Sequence, residues 1–313
     1  MENAIKTEKL VKTYRKKGKR KGKTVNALID LNLTVKLGDI YGFIGPNGAG
    51  KTTTIKTLMG LITADSGAAF VMGYPAGTVE AKKEVGYLSE VAYYYPFMEV
   101  GKLLDFYCSF YEIKRPIRKK RITEVLRLVG LEDKIDAKMS ELSKGMQQKF
   151  GIAQAIIADP PLLILDELTS GLDPIAQKEV KDVVLQLKKQ GKTIFFSSHQ
   201  MTEVENICDQ IGIIHRGVML KSARLDEFLK EESGNLTKIV FSDPCPEFLN
   251  RLKEKSVTLE AVHDKTYRII VSESEVNNFI DLMRSEKLPV LEVSPHRFSL
   301  EDAFFRLIKE DEK

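Results

Sequence analysis

The sequence predicts an α/β domain built on a buried parallel sheet, followed by a smaller α+β domain. Three observations carry this. A short apolar strand at 40–44 runs into a glycine-rich loop and then a helix over about 51–59. Segments 162–165 and 193–197 are short apolar strands with a helical stretch, about 175–190, between them. Strand, crossover helix, strand is the unit of a parallel sheet buried on both faces. After about residue 236 the pattern changes to strands and helices in the order β-α-β-β-α-β, which suggests a ferredoxin-like unit.

The elements follow in order. Residues 5–13 read as a strand, then comes a basic loop, and a second strand runs near 28–35 with Leu31, Leu33 and Val35 alternating. These form an antiparallel edge before the turn Leu37-Gly38-Asp39. From about 91 to 158 the spacing turns helical: Leu103, Leu104, Tyr107 and Tyr111 make one apolar stripe, and Ile122, Val125, Leu126 and Val129 another. That stretch reads as a helical insertion. Glu231-Glu232-Ser233-Gly234-Asn235 is the linker candidate, dividing the chain into domains at 1–232 and 236–313. In the second domain the expected elements are a strand (238–241), a helix (246–253), a hairpin (257–262 with 267–271), a helix (276–286), a strand (290–293) and a helix (300–308). There is no heptad array and no internal repeat.

Composition bounds the function. With 313 residues, 43% hydrophobic and 29% charged, the chain is an ordinary globular one, long enough for two cores. Lys12 to Lys23 holds eight basic residues and no acid, which leaves 40 basic against 44 acidic residues elsewhere. The basic balance therefore belongs to one segment, and a globally basic nucleic-acid binder is disfavoured. Within it, Arg15 to Lys23 is either a solvated hairpin loop or a contact for anionic lipid. No apolar run approaches the roughly 20 residues of a membrane span, and the start lacks a secretory apolar stretch. The expectation is a cytosolic chain, or one held at a membrane by another protein. Cys108, Cys208 and Cys245 are odd in number and far apart, against a disulfide framework or a close-spaced metal site.

The chemistry starts at Gly45-Pro46-Asn47-Gly48-Ala49-Gly50-Lys51-Thr52, followed by Thr53. Glycines let backbone N–H groups turn toward phosphate oxygens, and a helix N-terminus adds positive dipole. Lys51 can reach the β- and γ-phosphates, and the Thr52 hydroxyl can hold Mg²⁺. The apolar strand at 162–165 ends in Asp166-Glu167. There Asp166 would hold Mg²⁺, and Glu167 would polarise the attacking water. No Asn is followed by Lys, so a guanine-reading N-K-x-D is missing and an adenine base held by an aromatic face is the alternative.

Between and after these loops lie further motifs. Leu142-Ser143-Lys144-Gly145-Met146-Gln147-Gln148 resembles the signature of the ABC (ATP-binding cassette) ATPases. Ser170-Gly171-Leu172-Asp173 resembles their D-loop, Phe195-Phe196-Ser197-Ser198-His199 their switch-histidine strand, and Val85-Gly86-Tyr87-Leu88-Ser89-Glu90 their Q-loop region. Tyr14 sits where the adenine-stacking aromatic belongs, though it also reads as a plain strand aromatic. The motifs occur in the family's order over about 5–230. The nearest subgroup resembles the ATP-binding subunits of exporters with separate permeases for drugs, antibiotics, polysaccharides, lipids or sodium. Its common C-terminal ending is resembled by Ser294-Pro295 through Ser299-Leu300-Glu301-Asp302-Ala303-Phe304.

The resemblance implies a P-loop ABC ATPase domain and a dimer enclosing two ATPs. Each ATP would lie between one subunit's phosphate loop and the other's Ser143 and Gly145, with Asp173 nearby. It implies Lys51, Glu167 and His199 as catalytic groups, Thr52, Glu90 and Asp166 around Mg²⁺, and a transmembrane permease as partner. This sequence departs at Lys144-Gly145, at Met146 where a Gln is usual, at Glu90 for Gln, and at Leu168 for Pro. Met146 cannot hydrogen-bond a ribose, and Gln147 is the alternative. Tyr93-Tyr94-Tyr95-Pro96-Phe97 is either a permease-facing surface or packing against the insertion. Two other functions compete: a soluble ABC ATPase acting in translation or on DNA, and a non-hydrolysing regulator. The single phosphate loop without long coiled-coil inserts speaks against the first, and intact Glu167 and His199 against the second. His215, His263 and His296 are scattered and read as surface or satisfied polar residues.

Overall fold

The computed structural model describes residues 2–15, 24–233, 235–254, 258–263, 265–296 and 298–311. Most of the predicted basic loop, residues 16–23, therefore lies outside the described residues, as does Gly234 of the linker candidate. Contacts group the chain into two compact units, Met1–Leu225 with Leu307–Lys313, and Asp226–Arg306.

In the first unit, β1 (Asn3–Arg15) and β2 (Thr24–Lys36) are longer than their apolar centres predict, pairing antiparallel out to Arg15 and Thr24. β3 (Ile40–Ile44) enters the phosphate loop and α1 (Lys51–Leu58) leaves it. Then come β4 (Ser66–Val71), β5 (Tyr74–Pro75), α2 (Val79–Lys83) and β6 (Val85–Leu88). The helical insertion holds α3 (Val100–Phe110), α4 (Arg115–Leu128) and α5 (Lys144–Ile156). β7 (Leu162–Leu165), α6 (Pro174–Lys189), β8 (Thr193–Ser198), α7 (Met201–Ile207), β9 (Gln210–His215) and β10 (Val218–Arg224) complete it.

The central sheet runs β10-β9-β3-β8-β7-β6. Its strands are parallel except β10, which pairs antiparallel with β9. β3, β7, β8 and β9 are buried at every position, which is why their centres are apolar on both faces. A second, antiparallel sheet, β2-β1-β4-β5, forms the predicted edge. The core between them is led by Leu10, Leu31, Tyr41, Phe43, Ile164 and Phe195. Tyr41 is fully buried because its hydroxyl pairs with Ser222 Oγ at 2.8 Å, and burial pushes that phenol far above its ordinary range. α5 lies hard against β6: a Cβ on Gly86 would stand 2.1 Å from the Ala155 carbonyl oxygen. That contact packs the C-terminal end of α5 onto the sheet.

The insertion is not helical throughout. Residues 91–98 are irregular, and the aromatic run within them divides. Tyr94 turns inward, its ring edge-on to Phe150 at 4.9 Å, while Tyr93, Tyr95 and Phe97 are 92%, 58% and 71% exposed.

The linker expectation is corrected. α8 (Leu225–Ser233) runs through Glu231 and Glu232 to Ser233, carried by buried Leu225 and Phe228 spaced three apart on one face. Beyond it come β11 (Leu236–Ser242), α9 (Pro246–Glu254), β12 (Thr258–His263), β13 (Thr266–Ser272), α10 (Val276–Ser285), β14 (Val290–Pro295) and α11 (Leu300–Asp311). The sheet order is β12-β13-β11-β14, antiparallel throughout, over a core of Ile239, Phe241, Phe248, Leu252, Ile269 and Met283. The last turn of α11 groups with the first unit, where His215 Nδ1 meets Asp311 Oδ2 at 2.8 Å.

Candidate functional site

The phosphate loop is shaped by its glycines. Gly50 has φ 117°, a conformation that a side chain strains, and it caps α1 with no side chain in the way. The N-terminal amides of α1 are thereby left to an anionic ligand. Lys51 is 5% exposed. Its ammonium donates to the Gly45 carbonyl at 2.7 Å and the Pro46 carbonyl at 3.4 Å, and lies 3.4 Å from Glu167 Oε1. A buried lysine held across its own loop is a fixed positive charge that needs little rearrangement to meet a phosphate.

The two carboxylates follow β7. Asp166 is 1% exposed; its N–H donates to the Leu88 carbonyl at 2.8 Å, and its Oδ1 accepts from Ser197 Oγ at 2.6 Å. The same Ser197 oxygen accepts from the Glu167 N–H at 2.9 Å. Burial pushes the Asp166 carboxyl above the usual carboxylate range; Glu90 and Glu167 add to the rise, and the Ser197 hydroxyl and Lys51 oppose it. Glu167 has φ 52°, left-handed and strained for a residue with a side chain. That turn is held by Ser197 below and by the Ser170 N–H on the Glu167 carbonyl at 3.3 Å. Glu167 Oε2 meets His199 Nδ1 at 2.6 Å. His199 leaves the end of β8, and its side chain is 42% exposed.

A cavity of about 330 Å³ opens over these groups. Pro46, Asn47, Gly48, Gly50, Lys51, Thr52 and Thr53 line it from the loop and α1, with Glu90 and Glu167 facing them. Gly45 and Ala49 are buried behind the loop. The donor set suits Mg²⁺: a hydroxyl at Thr52 and the carboxylates Asp166, Glu90 and Glu167 gather against one lysine, so the site is short of positive charge. Magnesium is held by a hydroxyl, one or two carboxylates and substrate phosphates rather than by a full protein cage.

β2 adds Val25 and Ala27 to the cavity wall, which the sequence reading missed. Tyr14 itself is not among the lining residues. It pairs across the strands with Val25, is 40% exposed, and has the Lys12 ammonium 5.8 Å from its ring centroid. Ser143, Gly145 and Asp173 do not line the cavity either. Ser143 is exposed and caps α5, its Oγ accepting from the Met146 N–H at 3.3 Å. Asp173 caps α6 through Ala176 N–H at 2.9 Å, and a Cβ on Gly145 would stand 2.7 Å from Ala176 Cβ, so the first turns of α5 and α6 pack closely. Gln147 is committed to the Leu142 and Met139 carbonyls, at 3.2 and 3.4 Å, rather than being free for a ribose. Gln148 donates to the Leu168 carbonyl at 2.6 Å, which ties α5 to the loop after Glu167.

A glycine-rich strand–loop–helix cradle facing a strand that ends in two carboxylates defines a P-loop nucleoside-triphosphatase. Comparison with known proteins makes this specific. The family described as ABC transporter matches residues 28–170. An uncharacterised ABC transporter ATP-binding protein of Synechocystis is 38% identical over 98% of this chain and 85% of its own length. The bacitracin transport ATP-binding protein of Bacillus licheniformis is 35% identical over 98% of each chain. Among solved structures, an ATP-binding subunit of an ABC transporter superposes with a TM-score of 0.62 at 28% identity, covering 73% of this chain and 93% of that one. The chain belongs to the ABC transporter ATP-binding proteins. It is an ATP-binding, ATP-hydrolysing subunit of such a transporter. No helix among the described residues is long and apolar enough to cross a membrane.

Proposed function

We propose that the chain is the motor of an exporter, dimerising around two ATPs and driving a separate transmembrane permease. The single observation that carries the chemistry is Glu167, strained and nearly buried, between Lys51 at 3.4 Å and His199 at 2.6 Å. In this reading Glu167 polarises the attacking water, and His199 orients it and senses the γ-phosphate. Lys51 and the loop amides bind the β- and γ-phosphates. Thr52, Asp166 and Glu90 would hold Mg²⁺, which supplies charge neutralisation at the phosphates. Tyr14, beside the cavity wall at Val25, stacks on adenine.

Ser143 and Gly145, outside this chain's cavity, serve the ATP of the opposing subunit, with Asp173 at the same junction. Exposed Tyr93, Tyr95 and Phe97 are the surface offered to the permease. Export is supported by the similarity to a bacitracin transport protein. The basic segment from Arg15 to Lys23 is a contact for anionic membrane, and vesicle binding that needs acidic lipid and fades with salt is its check. Equal binding to neutral vesicles would remove that role.

The test of the chemistry pairs binding with turnover. Glu167→Gln should keep ATP affinity and lose hydrolysis by about 10²–10⁴-fold, the usual cost of a lost general base. Turnover at the parental rate would remove Glu167 from the role. Purification from membranes in mild detergent should bring down a multi-span protein; a ribosomal or DNA-bound complex instead would favour the soluble class.

A further inference from the structure

Behind the catalytic corner lies a carboxyl that the chemistry above does not use. Glu203, on α7, is 1% exposed. Its Oε2 accepts from Ser198 Oγ at 2.8 Å, and Ser198 immediately precedes His199. Its other oxygen, Oε1, has no hydrogen-bond partner within bonding geometry. Facing it is Thr169, two residues after Glu167 and also 1% exposed, whose Oγ1 is likewise buried without a partner. An unmatched acceptor and an unmatched donor that adjoin in a dry interior are complementary, and leaving both unmade is costly. Burial pushes the Glu203 carboxyl above its usual range, opposed by the Ser198 and Thr169 hydroxyls and by Lys181, and reinforced by Glu167.

We propose that Glu203 is a positioning residue for hydrolysis: its carboxyl bridges Ser198 to Thr169 and thereby sets the distance between His199 and Glu167. The geometry around it is one-sided without this bridge. On one face of β8, Ser197 grips Asp166 and Glu167. Successive residues of a strand point to opposite faces, so Ser198 turns away and reaches Glu203 instead. The turn from Glu167 to Ser170 is closed by a backbone bond at 3.3 Å, and Leu172 N–H returns to the Thr169 carbonyl at 3.2 Å. Thr169 is the side chain through which that turn can be tied to the histidine strand. Glu203 lines no part of the cavity. Its loss should therefore misplace groups without removing a binding contact.

The inference rests on the proposed roles of Glu167 and His199. The experiment compares steady-state ATPase kinetics and melting temperature for Glu203→Leu, Glu203→Gln, Thr169→Val and the Glu203→Leu/Thr169→Val pair. Glu203→Leu should lower kcat about 10- to 100-fold, the scale of a small misplacement at a reacting centre, with KM for ATP held within about 3-fold. Glu203→Gln can accept from Ser198 and donate to Thr169, so it should recover most of kcat. Thr169→Val removes one hydroxyl and should cost roughly 3- to 10-fold in kcat. In the pair the Thr169 change should add nothing, because the bridge is already gone.

Parental kcat in Glu203→Leu would overturn the proposal, as would additive losses in the pair. So would a Gln variant no better than Leu, or a fall in kcat that comes with an equal loss of ATP affinity. If Glu203→Leu fails to fold, Thr169→Val decides alone, and unchanged kcat there refutes the bridge. Glu167→Gln separates the layers. If it turns over at the parental rate, the reading of the site fails; if it is inactive while Glu203→Leu is normal, only the bridge fails.

Discussion

The corner holding Lys51, Asp166 and Glu167 and the segment opening with Ser143 belong to one compact unit, yet they are built in opposite ways. The corner is buried and over-determined: Asp166 and Glu167 share Ser197, Lys51 lies across its loop carbonyls, and Glu167 is held in a left-handed turn. Ser143 is exposed, with one hydrogen bond at 3.3 Å to its own helix. Both lie at helix N-termini, α1 and α5, where backbone N–H groups favour an anion. At α1 the cavity is already there; at α5 the capping Ser143 is exposed. A rigid half-site and an exposed half-site in one chain fit a composite site in which the ligand of the exposed half arrives with another subunit.

Substitutions can break that contrast. The largest effect is expected from Lys51→Ala, which removes the buried charge. ATP binding should collapse, read by calorimetry, with the variant remaining monomeric in ATP. Retained affinity would show that the loop amides suffice and would blur the division of labour. Ser143→Arg should do the reverse. It fills the exposed half with a bulky cation, so the single chain should bind ATP as the parent does, while ATPase at high protein concentration falls roughly 10²–10³-fold, the scale of losing a preorganised anion donor. Lost affinity in dilute monomer would place Ser143 in the chain's own site.

Tyr14→Ala sharpens the cavity's open side. Stacking on a base is worth about 1–3 kcal/mol, or about 5- to 150-fold in ATP affinity, while kcat at saturation should hold. Unchanged affinity would shift the adenine contact to Val25 on β2. The smallest effect concerns Glu203. Its carboxyl is raised in the folded state, so it contributes stability below the unfolded carboxylate range that is lost as the pH rises through the raised value. Glu203→Gln does not titrate, so its melting temperature should gain on the parent's as the pH climbs. A difference independent of pH would contradict that sign.

The same contrast separates what the sequence disclosed from what it did not. The phosphate loop and the Asp166-Glu167 pair were legible because each is written in consecutive residues at a strand end. His199 was legible as the end of an apolar strand. Ser197's grip on the carboxylates was not, since it lies in a pairing across the sheet: Ser197 meets Asp166 with a separation of 31. Val25 and Ala27 were missed because the reading began the second strand at Leu28. Following the antiparallel register from Tyr14 would have reached Val25. Glu231-Glu232-Ser233 looks like a linker by composition, but one buried helical face upstream carries α8 through it. Tyr94 and its neighbours could not be sorted by type, because the same residue turns inward or outward according to what α5 offers it.

One measurement addresses the composite site directly. Lys51→Ala carries an intact Ser143 half and a disabled phosphate loop; Ser143→Arg carries the opposite. Each should be nearly inactive alone at saturating ATP and high protein concentration. Mixed in equal amounts, they can form a heterodimer in which one site joins the sound phosphate loop of one chain to the sound Ser143 segment of the other. The expected result is ATPase activity in the mixture well above that of either variant, abolished when Glu167→Gln is added to the chain carrying Ser143→Arg. Activity in the mixture equal to the mean of the two variants would mean that no site is shared between chains, and would contradict the composite dimer.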